Sequence, residues 1–311
     1  MSYADIRIAR LREYLGEAAL DAFYVRSTPN IHWLTGFEDV FDEEAAHALF
    51  IDGERIAIHS DSRYGVALER AAEGSAIRID VVQGSHGSAF ARFLAEATYR
   101  TKNDGASAAI GIEDSLPLRE YRALEASLEG DAPSRGLRET SDVIVGLRGA
   151  KDADEIARLR RAQAITDEAF AFIIGFIRPG MTEREVQIEL EDHMVRAGAH
   201  GLAFSSIVAT GPHAASPHAI PGDTRLEAGH AVVIDFGARF RGYCSDMTRT
   251  VFLGRPDDEV ARAYEAIREA NEQVEAFLKP GVTGAEAQAL AEDVLARAGF
   301  AGGMGHSLGH G

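Results

Sequence analysis

The chain has 311 residues, enough for about two domains at roughly 100–200 residues each. Hydrophobic residues make up 46% and charged residues 26%, which excludes a disordered, collagenous or coiled-coil chain. A formal net charge of −17 argues against a binder of phosphate backbones but not against metal cations, and one cysteine, Cys244, excludes an intrachain disulfide.

The first residues lack the basic-then-apolar pattern of a secretory signal. The longest apolar run, 169–177, is far short of the roughly 20 residues of a membrane helix. A cytoplasmic protein is expected. Strand-length apolar runs follow at Ala22–Val25, Ala48–Ile51 and Ile56–His59, the last two flanking an Asp52-Gly53-Glu54 hairpin turn. Helical patterns at Tyr64–Ala72, Ala89–Ala97 and Leu118–Leu128 alternate with strand-like Ile77–Val82 and Ala108–Ile112, an α/β layer pattern. No glycine-rich nucleotide loop occurs among them.

The pattern changes near residue 148. Asp152 and Glu155 form a capping-box pair ahead of a long helix with Ile156, Leu159, Ala162, Ile165, Ala169, Phe172, Ile173 and Phe176 on one stripe, closed by Pro179-Gly180. A domain boundary is expected around 140–150. Beyond it the chain repeats itself at a constant offset of 101: Pro179/Pro280, Gly180/Gly281, Thr182/Thr283, Glu185/Glu286, Gln187/Gln288 and Gly198/Gly299 all match. Capping signals alone explain the Thr and Glu pairs, but hardly the Gln inside each helix. The first copy runs on through strand-rich sequence to about Leu253, whereas the second has only twelve residues after Gly299, so a C-terminally truncated chain is expected.

Three segments carry candidate chemistry. Residues 230–252 read as two strands around a turn; centred on Phe240-Arg241, it sets Asp235 opposite Asp246. Carboxylates so close repel unless one is protonated or a cation lies between them, and together they can bind one or two divalent metals. The alternative is a surface hairpin with Asp246 solvated and Asp235 paired to Arg249. Cys244, beside this hairpin with no evident base, is expected to be packed rather than catalytic. His213 and His218 lie in a Gly/Pro/Ser loop, either idle in solvent or acting as proton carriers beside a metal. His306 and His310 fall in a glycine-rich stretch better suited to an extended loop than to a helix. Adding a histidine nitrogen to two aspartates suits manganese, iron, cobalt or zinc; the alternative is a disordered tail.

Taken together, these segments resemble the creatinase, prolidase and methionine aminopeptidase superfamily, whose catalytic domain has the pita-bread fold. Asn30 to Phe37, Ser60 to Tyr64 and Leu147 to Arg160 extend the resemblance over almost the whole chain. It implies an α/β (α+β) architecture: a creatinase-type N-terminal α/β domain over residues 1–147, then a pseudo-symmetric pita-bread metallopeptidase domain over 148–311 lacking its last strands. It implies metal ligation by Asp235, Asp246 and His310, substrate contact and transition-state stabilisation by His218, and a pocket wall at His306. The family completes its site with two glutamates and a histidine further downstream, so the activity of this chain rests on those ligands. The implied function is hydrolysis of the Xaa-Pro bond at the N-terminus of short peptides, as a dipeptidase or aminopeptidase. Two divalent ions are implied, manganese first and cobalt, iron or zinc after it. The implied partners are short proline-containing peptides and a second copy in a homodimer whose N-terminal domain shapes the pocket mouth, with no nucleic acid or membrane. Two alternatives stand beside this reading: an inactive pita-bread module that binds peptide or protein, and a metal-free amidinohydrolase like creatinase.

Overall fold

The computed structural model describes residues 2–42, 44–81, 83–96, 109–128 and 136–309. Val82, Ala97, Ala108 and His310, all part of the sequence reading, lie outside the described residues. Two compact units form, Met1–Ala157 and Arg158–Gly311. Among the described residues no helix is long and apolar enough to cross a membrane.

The first unit is built on a six-stranded mixed sheet. Its elements are α1 (Tyr3–Glu17), β1 (Ala22–Val25), α2 (Thr28–Thr35), β2 (Ala48–Asp52), β3 (Ile56–His59), α3 (Gly65–Ala71), β4 (Arg78–Asp80), α4 (His86–Ala95), β5 (Ala109–Glu113), α5 (Leu118–Leu128), β6 (Gly136–Thr140) and α6 (Val143–Gly149). Strand order is β4-β3-β2-β1-β5-β6, with β1–β2 and β2–β3 antiparallel and the other pairs parallel. Side chains alternate across the sheet. Phe23, Val25, Leu49 and Ile51 join the core under α1, while Tyr24 and Phe50 join Phe90 and Phe93 of α4 on the other face. A strand covered on both faces reads as a continuous apolar run, which is why β1, β2, β3 and β5 are visible in the sequence. Both α2 and β6 went unread: α2 is a short segment with Pro29 in its first turn, and three of the five residues of β6 are exposed.

The second unit contains most of α7 (Ala153–Phe176), then α8 (Glu183–Arg196), β7 (Gly201–Leu202), β8 (Ile207–Thr210), β9 (Ala231–Phe236), β10 (Ala238–Phe240), β11 (Tyr243–Cys244), β12 (Met247–Phe252), α9 (Asp258–Phe277) and α10 (Gly284–Arg297). The capping box of α7 forms as read: Glu155 N–H donates to Asp152 Oδ1 at 2.9 Å and Asp152 N–H to Glu155 Oε2 at 3.0 Å. Ala162, Ile165, Ala169 and Ile173 are buried, but Ile156 is 41% exposed and leaves the expected stripe. The repeat is physical. Thr182 with Glu185 and Thr283 with Glu286 form equivalent capping boxes, and Gln187–Glu191 and Gln288–Glu292 form equivalent side-chain bonds one turn further on.

Candidate functional site

Strand β9 is the centre of a three-stranded antiparallel sheet, β12-β9-β8. Val232, Ile234 and Phe236 point into the core, so Asp235 projects from the opposite face, where it is half-buried. The chain then turns back through Arg241-Gly242, both with positive φ (47° and 80°), the conformation of a two-residue hairpin turn. This turn lies one residue beyond the expected Phe240-Arg241 and changes the register. Asp235 stands opposite Thr248, not Asp246. Carried through to the Arg239–Cys244 pair, the register sets Gly237 across from Asp246.

The correction preserves the chemistry. Asp246 lies two residues before Thr248, hence on the same sheet face as Asp235 and diagonal to it. Between β9 and β10 the hairpin passes from one sheet into another, β11-β10-β7, at Gly237 and Ser245-Asp246. A Cβ on Gly237 would lie 1.9 Å from the Ser245 carbonyl oxygen, so only glycine fits at this crossing. Buried hydroxyls hold it: Ala238 N–H donates to Ser245 Oγ at 2.9 Å, and Thr166 Oγ1 lies 2.6 Å from the same oxygen.

Burial raises the pKa of Asp235 above the ordinary carboxylate range; Thr248 opposes this by hydrogen bonding, the Asp246 charge adds to it, and the nearby His218 opposes it. Asp235, Asp246 and His218 are therefore electrostatic neighbours. Asp235 Oδ1 is buried with no hydrogen-bond partner. Arg249 stands opposite Ile234 and donates to the Thr248 carbonyl at 2.8 Å. Cys244 is exposed rather than packed.

His218 is exposed in the loop after β8. His213 in the same loop is not idle: its Nδ1 donates to Glu183, at 2.8 and 2.9 Å from the two carboxylate oxygens. His306 is exposed and donates from Nδ1 to the Ser307 carbonyl at 2.6 Å. It borders an apolar groove of about 1130 Å³ between α9 and α10, lined also by Leu295, Phe300 and Met304, and Asp235 does not line that groove. Among the described residues, no cluster of three potential metal-ligating side chains forms.

The likeness to known proteins is extensive. Residues 7–149 match the creatinase/prolidase N-terminal domain, and residues 157–311 match metallopeptidase family M24. The uncharacterized peptidase YqhT of Bacillus subtilis is 33% identical over 307 residues, spanning 98% of this chain and 82% of that protein. The chain belongs to metallopeptidase family M24. The Xaa-Pro dipeptidase of Pyrococcus horikoshii is 30% identical to this M24 chain, covering 100% of it and 82% of the relative. Among solved structures, an Xaa-Pro dipeptidase from Bacillus anthracis superposes with a TM-score of 0.87 at 32% identity, over 99% of this chain and 81% of that one. The prolidase of Pyrococcus horikoshii OT3 gives a TM-score of 0.84 at 30% identity, over 98% and 81%.

M24 membership implies divalent metal ions, and the residues present fit them. Asp235 has a buried carboxylate oxygen without a donor, and the Asp246 carboxylate near it offers a second hard oxygen ligand, while His310, the third ligand implied by the resemblance, lies outside the described residues. Glu183 was missed in the sequence because an acid in the first turn of a helix is ordinary. Its one signal lay in the repeat, where the matching position is Gly284.

Proposed function

We propose that this M24 chain hydrolyses the Xaa-Pro bond at the N-terminus of short peptides, acting as a dipeptidase or aminopeptidase on proline-containing substrates. The observation that carries this reading is the Asp235–Asp246 pair, with a buried, donorless oxygen on Asp235 and His218 within electrostatic reach of it. In the proposed assignment Asp235, Asp246 and His310 hold two divalent ions, manganese first. Bound there, the ions supply electrophilic polarisation and water activation. Asp235 would hold the cations from strand β9 and Asp246 from the link between β11 and β12. His218 donates a hydrogen bond to the oxygen that gains charge as the scissile carbonyl is attacked. His306 borders the substrate. Residues 1–147 form the N-terminal domain of a cytoplasmic homodimer and 148–311 the catalytic one.

The test is hydrolysis of Ala-Pro and Ala-Pro-Ala by the full-length protein, with chelator and with added manganese. Manganese-dependent release of alanine supports the reading, and the preferred peptide separates dipeptidase from aminopeptidase. Chelator-resistant cleavage would contradict the metal-dependent reading, no peptide cleavage beside chelator-resistant hydrolysis of a guanidino substrate would favour the amidinohydrolase, and binding of proline peptides without cleavage would favour the inactive module.

A further inference from the structure

The loop carrying His218 opens on a short 3-10 helix, Gly211–Ala215, and forms no further helix or strand before Gly222. Between Gly211 and Gly222, its internal backbone bonds include Ser216 N–H to His213 O at 3.1 Å and Ala219 N–H to Ser216 O at 3.2 Å, and Ser216, Pro217, His218 and Ile220 are exposed. What fixes it lies underneath. The Glu183 carboxylate, fully buried, accepts from Thr210 N–H at 2.9 Å where the loop begins, from the His213 ring within it, and from Gly222 N–H at 3.2 Å where it ends. Residue 184 closes the same end: its N–H donates to the Gly222 carbonyl and its guanidinium to the Pro221 carbonyl.

Glu183 is not needed by the helix it begins. In the repeat, α10 forms the same capping box with Gly284 at the matching position, and the Thr283–Glu286 bonds are intact. A buried carboxylate is costly unless every donor is well placed, so its presence in the copy that carries the histidine loop calls for a role in that loop.

We infer that Glu183 is a positioning residue for His218: through Thr210, His213 and Gly222 it holds in place the loop that carries His218. The inference rests on the proposed role of His218 in peptide hydrolysis. It predicts that Glu183→Gln lowers kcat for Ala-Pro by about 10²-fold, with KM changed far less, because a small displacement of a reacting group suffices for that loss. His213→Ala, at a less buried site, should give a smaller loss of the same kind. The deciding measurement is a cycle with His218→Ala: in that background Glu183→Gln should have little further effect on kcat. Amide hydrogen exchange is measured in parallel and should quicken over residues 211–222 in Glu183→Gln and His213→Ala while α8 and β9 stay protected. Equal losses from Glu183→Gln with and without His218, or unchanged kcat in both single variants, would overturn the inference. A wild-type protein that cleaves no Xaa-Pro peptide would overturn the functional reading instead. In that case the exchange data decide on the clamp, and unchanged loop exchange in both variants would overturn it. If Glu183→Gln does not fold, His213→Ala carries both readouts.

Discussion

Asp235 is the residue on which the site turns. Its environment disfavours its own charge, through burial first and the neighbouring Asp246 next. Asp235→Asn should therefore abolish metal-dependent cleavage yet raise the thermal midpoint of the chelator-treated protein at neutral pH; a lowered midpoint would contradict this. His218→Ala should leave the fold intact and reduce kcat by about 10²-fold, the scale of one lost oxyanion donor, as steady-state kinetics would reveal. In the first unit, the Nδ1 atoms of His59 and His86 lie 2.6 Å apart, a spacing at which one ring donates and the other accepts. Burial, with Arg26 next, pushes His86 down to about 3. Its folded pKa is below the ordinary value near 6.5, so the neutral ring contributes fully above about pH 6.5, and that stability is lost as pH falls towards 3. Denaturant midpoints should decline over that interval, and His86→Asn should flatten the decline. Equal slopes in the two proteins would refute the assignment.

At the scale of elements, the hairpin of β9 to β12 shows what sequence can and cannot convey. Alternating apolar residues announced both strands, and the glycine announced a turn. The register depended on which pair took positive φ, and Gly242 drew the turn one residue beyond the symmetric guess. Period-two geometry kept both carboxylates on one face despite the slip. The long helix was legible from its cap, but not the exposure of Ile156, because its first turn is held by polar contacts. Arg7, 5% exposed, bonds Asp152 at 2.6 Å and the Trp33 carbonyl at 2.9 Å, and Trp33 Nε1 donates to Glu155 at 3.0 Å. Arg7 and Trp33 each lie more than a hundred residues from the carboxylate they bond, beyond the reach of any local pattern. Arg7→Ala would leave two carboxylates without their cation and should cost about 3–5 kcal/mol of unfolding free energy, measurable by urea titration. Gly237→Ala should be at least as damaging, since its Cβ would meet backbone rather than a flexible side chain.

At the scale of the molecule, duplication explains the plan of the second unit. One helical hairpin motif occurs twice with the same caps and the same Gln–Glu bonds, and the copy bearing Glu183 also bears the histidine loop and the aspartate hairpin. The helical scaffold of this unit is thus readable from periodicity, and the site mainly from the resemblance. The central claim is that Asp235 and Asp246 make this M24 chain a metal-dependent Xaa-Pro peptidase. The most direct test is the rate of Ala-Pro hydrolysis by the full-length protein after chelation, as manganese is titrated back, beside Asp235→Asn under the same conditions. Recovery of activity with manganese in the wild type and none in the variant is the predicted result. Equal recovery in both, or cleavage that chelation leaves untouched, would contradict it.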